Sequence, residues 1–84
     1  MDKKEFIKHL AEQTGLSIQE ARMALNTCLD IIVSANCRQE KITFSGFGTF
    51  EVHDFEAGHR QSGDYEPRFV PTFLPEQRFI ESLS

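Results

Sequence analysis

One helix constrains the rest of this chain more than any other feature. Ser17 followed by Glu20 is a capping-box signature for a helix start. Behind it Ala21, Ala24, Leu25, Cys28, Leu29, Ile32 and Ala35 recur at three- and four-residue steps, which predicts a helix over 18–36. At about 100° per residue, the apolar sector from Ile31 through Ala21 to Val33 spans roughly 200°, interrupted chiefly by Arg22. A helix packed on a single neighbour needs only about half of that arc. This one needs covering on two flanks.

One cover is written just upstream. Asp2 and Glu5 fit a second capping box, Phe6, Ile7, Leu10 and Ala11 share a helical face, and Thr14-Gly15 ends the segment with a natural left-handed cap. The other cover has to be found in a chain of only 84 residues, a single domain's worth. A domain this size buries only about 60% of the surface its unfolded chain exposes. The expected second cover is therefore another copy of the chain, with Leu25, Cys28, Leu29 and Ile32 at the interface.

After Glu40 the period changes from 3.6 to 2. Ile42 and Phe44 alternate with Thr43 and Ser45, Gly46-Phe47-Gly48 breaks the run, and Phe50 and Val52 resume it. This predicts a β-hairpin turning on two glycines, with Phe55 extending its second strand. Asp54 to Phe69 is polar, with no core-forming period. Arg68 to Leu74 regains strand character, Pro71 marking an edge or a bulge. Pro75 suits the first position of a final helix carrying Phe79, Ile80 and Leu83. The class is α+β: two N-terminal helices, a three-stranded antiparallel sheet and a short C-terminal helix. Phe44, Phe47, Phe50, Phe69, Phe73 and Phe79 sit on or beside the strands and last helix, where they can interleave.

Several function classes are disfavoured. Gly46-Phe47-Gly48 opens like a dinucleotide fingerprint, but Glu51 stands where the third glycine belongs and no helix follows. His9, His53 and His59 show no metal-ligand spacing with one another or with the cysteines, so no metal is expected. No nucleophile has a base at a recognisable spacing, and no cofactor or catalytic activity is expected. Cys28 and Cys37, nine residues apart on one helix, would lie about 13.5 Å apart along its axis. A disulfide needs Cα atoms within about 7 Å, so two reduced thiols are expected. Ile31–Val33 is the longest aliphatic run, so no membrane span is expected. No apolar region follows Met1-Asp2-Lys3-Lys4-Glu5, and the expected compartment is the cytoplasm.

Charge pulls against the motifs. Nine Lys and Arg oppose thirteen Asp and Glu, a formal net charge of −4. Nucleic-acid partners usually call for the opposite sign, because phosphate neutralisation supplies most of the affinity. Yet Gly15-Leu16-Ser17, Glu20-Ala21 and Ala24-Leu25, then Ser45-Gly46-Phe47-Gly48-Thr49-Phe50-Glu51-Val52, then Val70-Pro71-Thr72-Phe73-Leu74-Pro75, form a joint signature. Over nearly its whole length the chain resembles the HU and integration host factor family of bacterial, histone-like, nucleoid-associated proteins that bend DNA. The resemblance implies a single domain over 1–84 in an obligate intertwined dimer. A helical base would cover 2–37, a β-saddle 41–53 and 68–74, an arm 54–69 and a C-terminal helix 75–83. The dimer interface would include Phe44, Phe47, Phe50 and Phe79. It further implies double-stranded DNA as partner, reached by β-arms in the minor groove, where family arms insert a proline wedge between base steps.

The departures from the family pattern fall where that chemistry belongs. His59-Arg60 precedes Gln61-Ser62-Gly63 where the family has Arg-Asn-Pro, so the wedge is missing and the arm is short. Within Asp54 to Phe69, Asp54, Glu56, Asp64 and Glu66 oppose only Arg60 and Arg68. DNA contacts are assigned to Lys3, Lys41, His53, His59, Arg60, Gln61, Arg68 and Arg78, with the N–H groups around Gly46 and Gly48 as phosphate donors. Three or four phosphates per protomer would give a dimer a log–log salt slope of about −5 to −7. A dimer charge of 2 × (−4) = −8 opposes encounter. The expectation is sequence-independent binding that is weak and salt-sensitive. The alternative is an acidic interaction protein that heterodimerises with a basic paralogue, or binds protein rather than DNA.

Overall fold

The computed structural model describes Met1–Asp54 and Phe69–Ser84. The element order is α1 (Lys3–Thr14), α2 (Ile18–Cys37), β1 (Ile42–Phe44), β2 (Gly48–Asp54), β3 (Phe69–Pro75) and α3 (Gln77–Glu81). The three strands form one antiparallel sheet in the order β1-β2-β3. The chain divides into two compact units, Met1–Val33 and Ser34–Ser84.

In the first unit both helix starts form as the capping boxes foretell. Asp2 Oδ1 accepts the Glu5 N–H at 2.9 Å. Ser17 and Glu20 cap reciprocally: Glu20 N–H donates to Ser17 Oγ at 3.0 Å, and Ser17 N–H to Glu20 Oε1 at 2.9 Å. Each bond satisfies an N–H that has no partner inside its helix. Between the helices Gly15 takes φ +77°, and its N–H returns to the Ala11 carbonyl. The core here is small: Ile7, Ala11 and Ala21 are buried, with Leu10 and Leu25 partly buried against them. Two of the three buried side chains are alanines, so the helices meet across short side chains and little apolar area leaves water. On the rest of α2, Met23, Leu29, Ile31 and Val33 stay exposed, Val33 at 60%. The broad apolar arc is mostly uncovered within one chain.

The second unit opens with the end of α2, one residue beyond the predicted 36. Glu40 N–H reaches the Ala35 carbonyl and Gln39 N–H the Asn36 carbonyl, both at 2.9 Å. This is a Schellman closure. It requires a left-handed residue, and Gln39 supplies it at φ +61° without being glycine. A side chain there costs about 1 kcal/mol.

Sheet register sorts the strand residues by face. Ile42 pairs with Phe50 and Phe44 with Gly48, while β2 pairs with β3 from Gly48–Pro75 through Phe50–Phe73 and Val52–Pro71 to Asp54–Phe69. Ile42, Phe44, Phe50, Val52, Pro71 and Phe73 therefore share one face. Thr43, Thr49, Glu51, His53, Val70, Thr72 and Leu74 share the other. Opposed Thr43 and Thr49 hydroxyls bond across the second face at 3.0 Å. On the first face, rings run in a continuous chain. Phe44 meets Phe50 edge-on at 6.2 Å, Phe50 meets Phe73 at 4.8 Å, Phe73 meets Phe47 at 5.1 Å, and Phe47 stacks on Phe79 at 5.0 Å. Of the six phenylalanines expected to interleave, these five do so.

Two expectations shift. The turn occupies 45–47, where only Gly46 has a positive φ (+81°). Gly48 is instead the first residue of β2, and its role is close approach. A Cβ there would lie 2.5 Å from Phe73 Cζ and 2.7 Å from the Leu74 carbonyl oxygen. The final helix is also shorter than 75–83. Pro75 closes β3 opposite Gly48, Glu76 is the N-cap, and the helix spans Gln77–Glu81. A proline without an N–H is as well suited to the end of an edge strand as to a first helical turn. The predicted continuation of β2 at Phe55 lies outside the described residues.

Three outcomes are expected in chemical denaturation. Gly48→Ala should destabilise by about 1–3 kcal/mol, the cost of overpacking a filled site. Phe73→Leu in that background should recover only part of the loss, because the Leu74 carbonyl still clashes. Gln39→Gly should stabilise by about 0.5–1 kcal/mol, by relieving the left-handed side chain.

Candidate nucleic-acid interface

The polar face of the sheet is the natural platform for an extended ligand, and its charges are informative. No Lys or Arg occurs within β1, β2 or β3, whereas Glu51 and Asp54 do. Of the assigned contacts only His53 lies on this face, exposed near the end of β2. The cations stand off the strands. Lys41 is exposed just before β1, and Arg78 is exposed on α3. Among the described residues the ion pairs are His9–Glu12 at 3.9 Å (charged only with His9 protonated) and Arg38–Glu40 at 2.9 Å. Lys41 and Arg78 thus have no carboxylate partner there, and neither has Lys3.

The turn is wired differently from the expectation. Gly46 N–H, assigned as a phosphate donor, donates to Glu76 Oε1 at 2.7 Å in a partly buried contact. Glu76 is the N-cap of α3 but makes no side-chain cap bond, its carboxylate being directed to the turn instead. A second bond joins the same segments, Glu76 N–H to the Phe47 carbonyl at 3.0 Å. Arg78 lies alongside, its Cδ 3.5 Å from where a Gly46 Cβ would stand. Gly48 is buried below Phe73. Gly46 therefore does not present the open donor that its sequence position implies, because an acidic side chain arrives first, and Gly48 is buried.

In the first unit Lys3 lies at a shallow cleft shared with Lys4, Ile7, Arg22 and Asn26. Sequence reading picked out Lys3 alone and took Arg22 as a break in the apolar arc. Helical spacing links Lys3 with Ile7 on α1 and Arg22 with Asn26 on α2, and only the packing of the two helices brings these pairs to one cleft. The remaining assigned residues His59, Arg60, Gln61 and Arg68 lie outside the described residues. Among the described residues no group of three His, Cys, Asp or Glu could hold a metal ion. No helix among them is long and apolar enough to cross a membrane.

The residues assigned to a dimer interface divide by unit. Phe44, Phe47, Phe50 and Phe79 are brought together with Phe73; Phe44 and Phe47 remain 45% and 43% exposed. Leu25 and Ile32 are half-buried, while Cys28 and Leu29 are exposed, Cys28 with a free thiol. Phe44, Phe47, Phe50 and Phe79 thus belong to one ring cluster within the second unit, and the other four lie on α2, two half-buried and two exposed.

A family model described as bacterial DNA-binding protein matches residues 1–84. The chain belongs to this family. It is 39% identical over 89 residues to DNA-binding protein HU of Geobacillus stearothermophilus, a match covering 99% of both chains. It is 34% identical over 91 residues to integration host factor subunit beta of Vibrio cholerae, covering 100% of this chain and 99% of that one. HU from Thermotoga maritima superposes with a TM-score of 0.78 at 30% identity, over the full length of both chains. The joint signature read from the three sequence stretches therefore identified the family, and the α+β order with its three-stranded antiparallel sheet is that of HU.

Proposed function

We propose that this chain is a non-enzymatic, HU-like architectural protein of the nucleoid, working as an intertwined homodimer that holds double-stranded DNA by its phosphates and minor groove. Residues 1–84 act as one DNA-binding domain. Membership of a family whose relatives are named as DNA-binding proteins supports the class. The exposed apolar surface supports the dimer: Leu29, Ile31, Val33, Phe44 and Phe47 all stay in water in one chain. Burying such side chains is worth about 1.5–3 kcal/mol each.

One observation carries the particular form of this reading. Cations are absent from the described strands, and the chain carries a net −4. Contacts must then come from Lys3, Lys41 and Arg78 around the sheet, together with His53, His59, Arg60, Gln61 and Arg68. Binding is sequence-independent, weak and steeply salt-dependent, and bending proceeds without a proline wedge. The same lack of cations favours a second reading, in which the chain pairs with a basic paralogue that restores the field, or binds protein instead.

Mass measured in solution at micromolar concentration should give the dimer; a well-behaved monomer would remove the basis for the proposal. Fluorescence anisotropy with a labelled duplex of about 30 base pairs should show binding at low salt, with a log–log slope of about −5 to −7 and little binding by about 150 mM. Tight binding at the higher salt would contradict the attenuated reading. No binding by the homodimer at either salt, restored on adding a basic relative, would select the heterodimer.

A further inference from the structure

The contact between Glu76 and Gly46 joins residues thirty positions apart through a charged acceptor at 2.7 Å. A backbone N–H that already holds a carboxylate oxygen in good geometry is placed to hold any anionic oxygen. A phosphodiester oxygen is the relevant alternative, and Arg78 stands beside the same glycine to supply positive charge. The turn thus holds one backbone donor that is filled from within by the chain's own acid, with a guanidinium beside the same glycine that this acid does not pair with. We propose that Glu76 is a built-in competitor for phosphate at the β1–β2 turn, so that a nucleic-acid backbone must displace its carboxylate before the Gly46 donor can be used. This rests on the duplex-binding reading above. It adds a cause of weak binding distinct from net charge: an occupied donor.

The two causes respond differently to substitution. Glu76→Gln removes the charge but keeps an oxygen able to accept from Gly46. Glu76→Ala removes both. A hydrogen bond to a charged acceptor is stronger than one between neutral groups. If part of that strength is lost on displacement, Glu76→Ala should bind duplex on the order of tenfold more tightly than the parent, with Glu76→Gln falling between.

The test combines anisotropy on the labelled duplex with the ¹⁵N–¹H resonance of Gly46, read in the intact dimer for the parent and both variants. Glu76→Ala should move the Gly46 resonance in the free protein. Titrating either duplex or inorganic phosphate should then shift it further, and much less in the parent. Glu76→Gln guards against loss of fold in the alanine variant. Equal gains for Gln and Ala would assign the effect to charge alone and overturn the proposal. So would a Gly46 resonance in Glu76→Ala that answers neither duplex nor phosphate. A response to phosphate without duplex binding by any variant would sustain the occupied donor while removing the duplex reading.

Discussion

The packing of Phe73 on Gly48 is the contact on which the sheet unit depends. With no Cβ at Gly48, the ring of Phe73 settles onto the β2 backbone beside the Leu74 carbonyl. From there it reaches Phe50 on one side and Phe47 and Phe79 on the other. Phe44, Phe47, Phe50, Phe73 and Phe79 each rest on another ring of this cluster. Pulling β3 against β2 in this way also brings the end of β3, and so Glu76, up to the turn. The position of the charged contact at the turn thus follows from an aromatic contact between β2 and β3.

Local stereochemistry made much of this fold legible. The capping residues, Gly15 and the switch from a 3.6 to a 2.0 period all carry a physical instruction that acts within four residues, and the structure follows it. What the sequence did not reveal acts over longer range or runs against type. Gln39 adopts a left-handed conformation that its residue type disfavours, because the Schellman bonds to Ala35 and Asn36 require it. Gly48 resembles a turn residue, and only the β2–β3 register shows that it makes room for a ring. Pro75 satisfies the rules for two different elements, and its pairing with Gly48 decided between them.

The candidate site was less legible, for a related reason. A residue type says what a side chain can bind, not whether its partner is already taken. Gly46 had the conformation of a donor-bearing turn, and nothing near it in sequence announced that Glu76 would occupy the donor. Arg22 was an interruption in a hydrophobic pattern until Lys3 and Lys4 were placed beside it. Lys41 and Arg68 fell within the expected saddle strands, so the absence of Lys and Arg from the strands emerged only with the bounds of β1 and β3, and its bearing on the polar face required the register.

Pro71 and Pro75 lie at positions of equal parity on β3, the outermost strand of the chain's own sheet. Their missing N–H groups therefore fall along the same side of the strand, which leaves Phe73 as the sole donor there between 71 and 75. Prolines on outer strands direct that deficit away from the ladder. A stray polypeptide attempting to zip onto this margin would find acceptors with few donors. The margin is a poor template for runaway self-association, a safeguard for a chain that leaves so much aromatic surface exposed.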